Sequence, residues 1–438
     1  MIDERLLRGG HHAAEVEAPG VYRRRRERVQ QRLSGGVAVL FGATDTRAYG
    51  DTGVYRQDLT FFYLTGVELP GAVLVLEPSR DTLFLPMRRP AVEAWFGPRF
   101  GPDDDTARLL GFDRVLDCEP HDIVIDARRR PQPGVADRIA NLVSGGTLWL
   151  AFPPASAAGA LTPEQRFAVA LRERLPEVTV RDLSPLLTEM RAIKEEGEIA
   201  LIRKAVAASI EAVRAVAGAV RPGRREGELE GVAFAALKAA GAEGWAFPPI
   251  IGSGLAGAVL HYDANLGSLC DGELVVVDIG ARHGYYCGDL SRTFPVSGRF
   301  SPRQRALYDT VLAAYGAAVS TLRPGSTLTA ARKAAFDALE ASPLSSPDGQ
   351  RLGQSFIHGI GHGVGLAEHD VGTDATTLAP GMVVTIEPGI YLPDEATGIR
   401  VEDMFLITPA GAENLSSALP HDRESVERMT LAGRADTR

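Results

Sequence analysis

A repeat within the second half of the chain constrains its fold more than any other feature. The segment Arg221-Pro-Gly…Phe234-Ala-Ala-Leu237 recurs as Arg323-Pro-Gly…Phe336-Asp-Ala-Leu339, at a constant offset of 102 residues. Each copy follows a long amphipathic helical pattern and precedes a second one. A glycine-rich apolar strand and a strand hairpin come next. One recurring tripeptide means little, but four elements in the same order at one offset indicate a duplicated unit. Two similar α+β halves packed about a pseudo-twofold axis are expected, with a site between them.

Ahead of the repeat the pattern changes. Short runs rich in β-branched residues, at 36–42, 61–66, 72–78, 82–86 and 147–153, are separated by Gly/Pro/Asp clusters. They predict an α/β domain. A polar stretch beginning at Thr188 then leads into Ile199, Ile202, Ala205, Val206, Ile210, Val213 and Val216, which keep a 3.6-residue period. The boundary is therefore placed near 185, dividing the chain into 1–185 and 186–438. Near the start, Arg23 to Arg26 sit among Val21, Tyr22, Val29 and Leu33, which reads as an amphipathic helix with a solvated basic face.

Charge and cysteine content exclude several classes. Forty-seven Lys+Arg against 56 Asp+Glu give a net charge of −9, so the chain is not built to coat nucleic acid or an anionic membrane. Its 3 cysteines, widely spaced, draw neither a disulfide framework nor a CxxC metal knuckle. No run of about 18 apolar residues occurs, and Met1 to Arg8 has no apolar signal core. A cytoplasmic protein without nucleic-acid or membrane partners is expected.

Ligand-type residues concentrate in four stretches of the second half. In Glu273-LVVVDIGARHGYYCGDLSRTFP, Asp278 and Asp289 lie eleven residues apart on what reads as two hairpin strands, able to present both carboxylates on one face. Burying two such groups is costly unless a cation lies between them. A salt bridge from Asp278 to Arg282 or Arg292 is the structural alternative. The stretch Phe356-IHGIGHGVGLAEHD holds His358, His362 and His369, three of the nine histidines. Its alternating glycines argue against a helix, and hence against an HExxH zinc site. Read as a strand, it puts 358 and 362 on one face. Finally, Glu387 in Gly381-MVVTIEPGIYLP and Glu402 in Gly398-IRVEDMFLIT fall within β-branched strands where a carboxylate is poorly placed for solvent.

Four carboxylates with imidazole and no thiolate suit hard divalent ions such as Mn²⁺, Mg²⁺, Co²⁺ or Zn²⁺. Their −4 charge would be neutralised by two such ions, which would lie about 3.5–4 Å apart and activate a bridging water. A competing motif, Gly252-Ser-Gly254-Leu-Ala-Gly257, matches GxGxxG. A dinucleotide site needs a long helix directly after the glycines, and here strand and loop follow.

In their local words DIGA, GDLSRTFP, HGIGHGVGL, TIEPGIY and GIRVED, residues Asp278, Asp289, His362, Glu387 and Glu402 resemble the two-metal site of the pita-bread metallopeptidases. That group includes methionine aminopeptidase, Xaa-Pro dipeptidase (prolidase) and aminopeptidase P, the last of family M24B. The match spans residues 190–415. Tyr55-RQDLTFFYLTG and Glu93-AWFGPRFG resemble the N-terminal domain of aminopeptidase P, a domain that methionine aminopeptidases generally lack. The resemblance implies an α/β N-terminal domain of the creatinase/aminopeptidase P kind, followed by an α+β pita-bread catalytic domain with internal duplication.

What it implies for individual residues is equally specific. Asp278 would bind one metal, Asp289 and Glu402 would bridge two, and His362 and Glu387 would complete the other shell. Mn²⁺ is the first choice, with Co²⁺ or Zn²⁺ as alternatives. His261 and His369 would face the substrate and hydrogen-bond the scissile carbonyl. His358 would line the proline pocket, and Arg400 would contact substrate or order the carboxylates. Trp95 would approach a neighbouring subunit's site in a homodimer or homotetramer. The implied reaction cleaves between an N-terminal residue and a proline at position 2 of a peptide. A metal-bridging hydroxide is the nucleophile and Glu387 the proton shuttle. Prolidase, which takes only dipeptides, is the nearest alternative. Non-catalytic pita-bread binding proteins and metal-free creatine hydrolases are further ones. Only fifteen positions separate Glu387 from Glu402, a short loop that could change how far a peptide extends beyond proline.

Overall fold

The computed structural model describes residues 16–43, 55–118, 134–152 and 161–435, and the Met1–Arg8 stretch read above lies outside them. The chain divides into two units, Met1–Glu189 and Met190–Arg438.

The first unit is built on one mixed sheet. Its strands are β1 (Val37–Phe41), β2 (Val73–Glu77), β3 (Arg80–Leu85), β4 (Arg114–Asp117), β5 (Thr147–Leu150) and β6 (Thr179–Asp182). Their order is β4-β3-β2-β1-β5-β6. β1, β2 and β3 form an antiparallel meander, while β5 and β6 join parallel. Four of the five β-branched runs supply strands, and nearly every side chain in them is covered: Val39, Val75, Leu148 and Leu150 pack with Ile139 and Val143 of the helix Val135–Val143 and Leu171 of the helix Pro163–Arg174. The run at 61–66 instead belongs to a helix, Leu59–Thr65, whose N-terminus is capped by Asp58. The helix Pro163–Arg174 starts where sequence demands, with Pro163 in its first turn and a Thr162/Gln165 capping box.

The basic run near the start forms the expected helix, Pro19–Arg32, but only part of it is solvated: Arg23, Arg24 and Arg28 are exposed, whereas Arg25 and Arg26 are buried. Arg25 and Arg26 are both 0% exposed. Arg25 pairs with Glu17 at 2.7 Å and lies over the Tyr63 ring. Arg26 pairs with Asp81 at 2.6 Å, donates to the carbonyls of Leu64 and Gly111, and stacks on Phe112. Guanidinium groups tolerate burial when their planar donors are met and their faces stacked, a distinction that charge counting misses.

The second unit carries the duplication. Helices Glu196–Ala219 and Glu226–Ala239 pack together, as do Pro302–Val319 and Leu328–Glu340. Arg225 and Thr327, which cap the second helix of each pair, are 102 residues apart. After the first pair come β7 (Gly244–Trp245), β8 (Ile250–Ser253), β9 (Leu274–Ile279), β10 (Ala281–His283), β11 (Tyr286–Cys287) and β12 (Leu290–Pro295). After the second pair come β13 (Val383–Ile386), β14 (Gly389–Leu392), β15 (Thr397–Arg400), β16 (Asp403–Thr408) and β17 (Gly411–Asn414). The central antiparallel ladders, β9–β12 and β13–β16, are equivalent. β8 flanks the first, and a bridge from Gly363 to Val384 flanks the second. Among the described residues no helix is long and apolar enough to cross a membrane.

Candidate metal centre

Register decides which side chains meet. Asp278, near the end of β9, lies opposite Ser291 of β12. Asp289 sits two residues before Ser291, so the twofold period of an extended chain turns Asp278, Ser291 and Asp289 to one face. In the second half, Ile386 lies opposite Asp403. The next pair outward is Glu387 and Glu402, the counterparts of Asp278 and Asp289.

These two glutamates do not stand in strand centres, as the sequence reading had them. Glu387 falls in the break between β13 and β14, and Glu402 in the break between β15 and β16. Pro388 explains the first break, because it cannot donate to the ladder. Close packing supports the arrangement. A Cβ on Gly288 would meet Ser209 Oγ at 2.6 Å and the Ala205 main chain at 2.9 Å, so only glycine lets the long helix Glu196–Ala219 press against the residue before Asp289.

The histidine stretch is also not a strand. Residues 357–370 run irregularly beside β13, tied by Glu387 N to Ile360 O, Thr385 N to His362 O and Val364 N to Val383 O. A Cβ on Gly361 would strike the Thr385 carbonyl, so the glycines serve close approach rather than extension. His362 donates from Nδ1 to the Gly363 carbonyl (3.2 Å), leaving Nε2 facing Asp289 Oδ2 at 3.6 Å and Glu387 Oε1 at 3.5 Å. His369 stacks on His362 with ring centroids 3.8 Å apart. Asp289, His362 and Glu402 each bring a ligand atom within 4.8 Å of one another and could hold a metal ion.

The electrostatics fit a cation. Asp278 Oδ1 and Glu402 Oε2 are buried with no hydrogen-bond partner. Burial, reinforced by Glu402, Asp278 and Glu387, holds the Asp289 carboxyl well above its ordinary range. Burial and the neighbouring carboxylates do the same to Glu402, and burial pushes Glu387 up to about 8. Burial, then His369, lowers His362 to about 4, keeping it a neutral ligand. Acid groups that cannot all ionise and an imidazole that stays unprotonated are what a divalent ion would bind.

Asp278 does have a counter-ion, and it is neither Arg282 nor Arg292. Arg400 donates from Nη2 to Asp278 Oδ2 at 2.7 Å, from Nε to Ser291 Oγ at 2.9 Å and from Nη1 to Tyr391 OH at 2.9 Å. Arg282 pairs with Glu243, and Arg292 with Asp403. An apolar strand end does not reveal a partner 122 residues away. Tyr391 OH also contacts His358 Nε2 at 3.0 Å, and His358 Nδ1 stands 3.9 Å from Glu387. Burial, then Arg400, lowers His358 to about 3.

Several residues around the centre escaped sequence reasoning. Tyr391 links His358 to Arg400; its place four residues after Glu387 was the available signal. Asp370, beside His369, is gripped by Arg191 at 2.6 Å and Lys194 at 3.2 Å, both in the stretch read only as polar linker. Arg292, 0% exposed, donates to the Glu402 carbonyl at 2.6 Å. His261 lies on an exposed loop after a single 3₁₀ turn at Ala256–Ala258, so GxGxxG has no long helix after it. Trp95 lies in the first unit on the helix Pro90–Phe96, 79% exposed.

Fold and site chemistry together define a metallopeptidase. Residues 200–409 match the model of metallopeptidase family M24, and residues 22–129 match the aminopeptidase P N-terminal domain. The chain is 32% identical to the Xaa-Pro aminopeptidase of Escherichia coli K12, over 96% of this chain and 99% of that protein. It is 30% identical to the Xaa-Pro aminopeptidase of Haemophilus influenzae, over 93% and 96%. A solved structure of E. coli aminopeptidase P with the inhibitor Pro-Leu superposes with a TM-score of 0.85 at 30% identity, over 96% of this chain and 100% of that one. The chain belongs to the aminopeptidase P family of M24 metallopeptidases, with an α/β N-terminal domain and a pita-bread catalytic domain.

Proposed function

We propose that the chain is a metal-dependent Xaa-Pro aminopeptidase, hydrolysing the bond between an N-terminal residue and a following proline. The carrying observation is a cluster of four carboxylates and an imidazole, two of whose buried oxygens lack a protein partner, in a chain that aligns nearly end to end with Xaa-Pro aminopeptidases. We assign Asp278, Asp289, His362, Glu387 and Glu402 as the residues that would hold two divalent ions. The hard, oxygen-rich donor set favours Mn²⁺, with Co²⁺ or Zn²⁺ as alternatives. Bound there, the ions supply an activated water and Lewis-acid polarisation of the scissile carbonyl.

The chain's own side chains do the rest. His369, held flat against His362, hydrogen-bonds the carbonyl oxygen as charge develops on it, and His261 approaches the same group. Glu387 takes the proton that the attacking water gives up on adding to the carbonyl carbon and delivers it to the proline nitrogen, so that the C–N bond breaks and proline leaves as an amine. His358, fixed by Tyr391, lines the proline pocket, and Arg400 orders Asp278. Trp95 is assigned to substrate contact across a subunit boundary in a dimer or tetramer, and a cytoplasmic location is proposed. Assays of Gly-Pro and of a longer Gly-Pro peptide with the Mn²⁺-loaded protein test the reading. Release of glycine from the longer peptide is expected, with loss on chelation; strict preference for the dipeptide would make the protein a prolidase instead.

A further inference from the structure

His261 is the least supported of the histidines assigned to substrate. It belongs to residues 259–268, which form no regular element beyond an isolated bridge from Ser268 to Arg225, and whose outer side chains are exposed, Leu266 by 71%. A side chain on such a loop contributes to a reaction only if something else fixes it, since misplacement of about 1 Å can cost 10²-fold in rate.

The fixing group is a buried carboxylate. Glu226, the first residue of the helix Glu226–Ala239, is 1% exposed. It accepts from Ser253 N of β8 at 2.8 Å on Oε1, and from the loop that carries His261 through Tyr262 OH at 2.8 Å and Gly267 N at 2.6 Å on Oε2. Its own N–H donates to the Gly267 carbonyl at 3.0 Å. The helix N-terminus adds a favourable partial charge beside the carboxylate. A Cβ on Gly267 would meet both Glu226 oxygens at 2.8 Å, which accounts for glycine there. Tyr262 is bonded from both sides, because its hydroxyl also accepts from Leu266 N at 3.2 Å.

We propose that Glu226 is a positioning residue for the reaction: through Tyr262 and Gly267 it locks the loop that carries His261. The proposal rests on the reading of His261 as substrate-facing. A separate fastening limits the damage when this lock is removed. Asn265 ties the loop to β8 and its approach by accepting from Ile251 N at 2.9 Å and donating to Pro249 O at 2.9 Å.

The test is a double-mutant cycle on the Mn²⁺-loaded enzyme, reading kcat/KM on a Gly-Pro peptide and Mn²⁺ affinity by calorimetry. Tyr262→Phe should lower kcat/KM roughly tenfold, and less than twofold when His261→Ala is already present, since contacting residues couple. Glu226→Gln, a second probe of the same lock, should follow the same pattern. Mn²⁺ affinity should stay within twofold throughout. Equal losses in both backgrounds, or a tenfold change in Mn²⁺ affinity, would overturn the proposal. An unmutated enzyme inactive on Xaa-Pro peptides would instead overturn the functional reading, and the proposal with it.

Discussion

Neutralising a ligand should stabilise the metal-free protein while abolishing metal binding, and Asp289→Asn is the sharpest case. Asp289 and Glu402 bring ligand atoms within 4.8 Å of each other. Two unit charges at that separation repel by about 3 kcal/mol at an effective dielectric of about 20. Without metal the site relieves this by holding protons, which is why Asp289 and Glu402 are held well above their ordinary range. A carboxyl raised in this way binds more protons folded than unfolded. Its contribution is complete below the unfolded value, about pH 4, and is lost as pH rises towards the folded value. At pH 7 in chelator, removing the Asp289 charge should therefore recover about 1–3 kcal/mol of that repulsion. For a domain of this size the gain corresponds to a rise in Tm of roughly 2–10 °C. Excess Mn²⁺ should invert the order, raising the melting point of the native chain and leaving the variant unchanged. Scanning fluorimetry at pH 7, in chelator and in Mn²⁺, reads both halves. A variant that melts below the native chain in chelator, or gains as much from Mn²⁺, would refute the reasoning.

Other perturbations follow from the same contacts. His369→Ala should lower kcat about 10²–10³-fold, the cost of one oxyanion donor, with Mn²⁺ affinity retained; calorimetry beside steady-state kinetics checks it. Asp370 is pushed up by burial, yet Lys194 and Arg191 outweigh this and hold it below its ordinary range. Its stabilisation is present above the unfolded value and lost as pH falls through the folded one. The Tm gap between the native chain and Asp370→Asn should thus shrink on acidification from pH 7 to 3, and a constant gap would count against the clamp. In the first unit, Arg26→Met strands Asp81 and should cost about 3–5 kcal/mol, as breaking a buried pair does; urea denaturation would show it.

The duplication and the five acid and imidazole residues were legible because they are local: each metal-type residue sits in a short apolar or glycine-rich word, and the helix pairs recur at a fixed spacing. What escaped was long-range. Arg400 reaches Asp278 across 122 residues, Arg292 joins β12 to Asp403 and to the Glu402 carbonyl, and Lys194 crosses to Asp370. Sequence spacing carries no record of such pairings. The basic run near Arg25 and Arg26 misled for a related reason. A helical period marks which side chains share a face, and whether that face meets water or Tyr63, Phe112 and Asp81 depends on elements far along the chain. Glu387 and Glu402 were assigned to strands correctly in neighbourhood and wrongly in detail, because Pro388 breaks the ladder where the carboxylates must turn inward.

The most direct test of the account is an anomalous difference map from Mn²⁺-soaked crystals, collected either side of the manganese edge. Two peaks enclosed by Asp278, Asp289, His362, Glu387 and Glu402 are expected, both lost in Asp289→Asn. Peaks elsewhere, or none at these residues in crystals of active enzyme, would contradict the metal centre on which the proposed reaction depends.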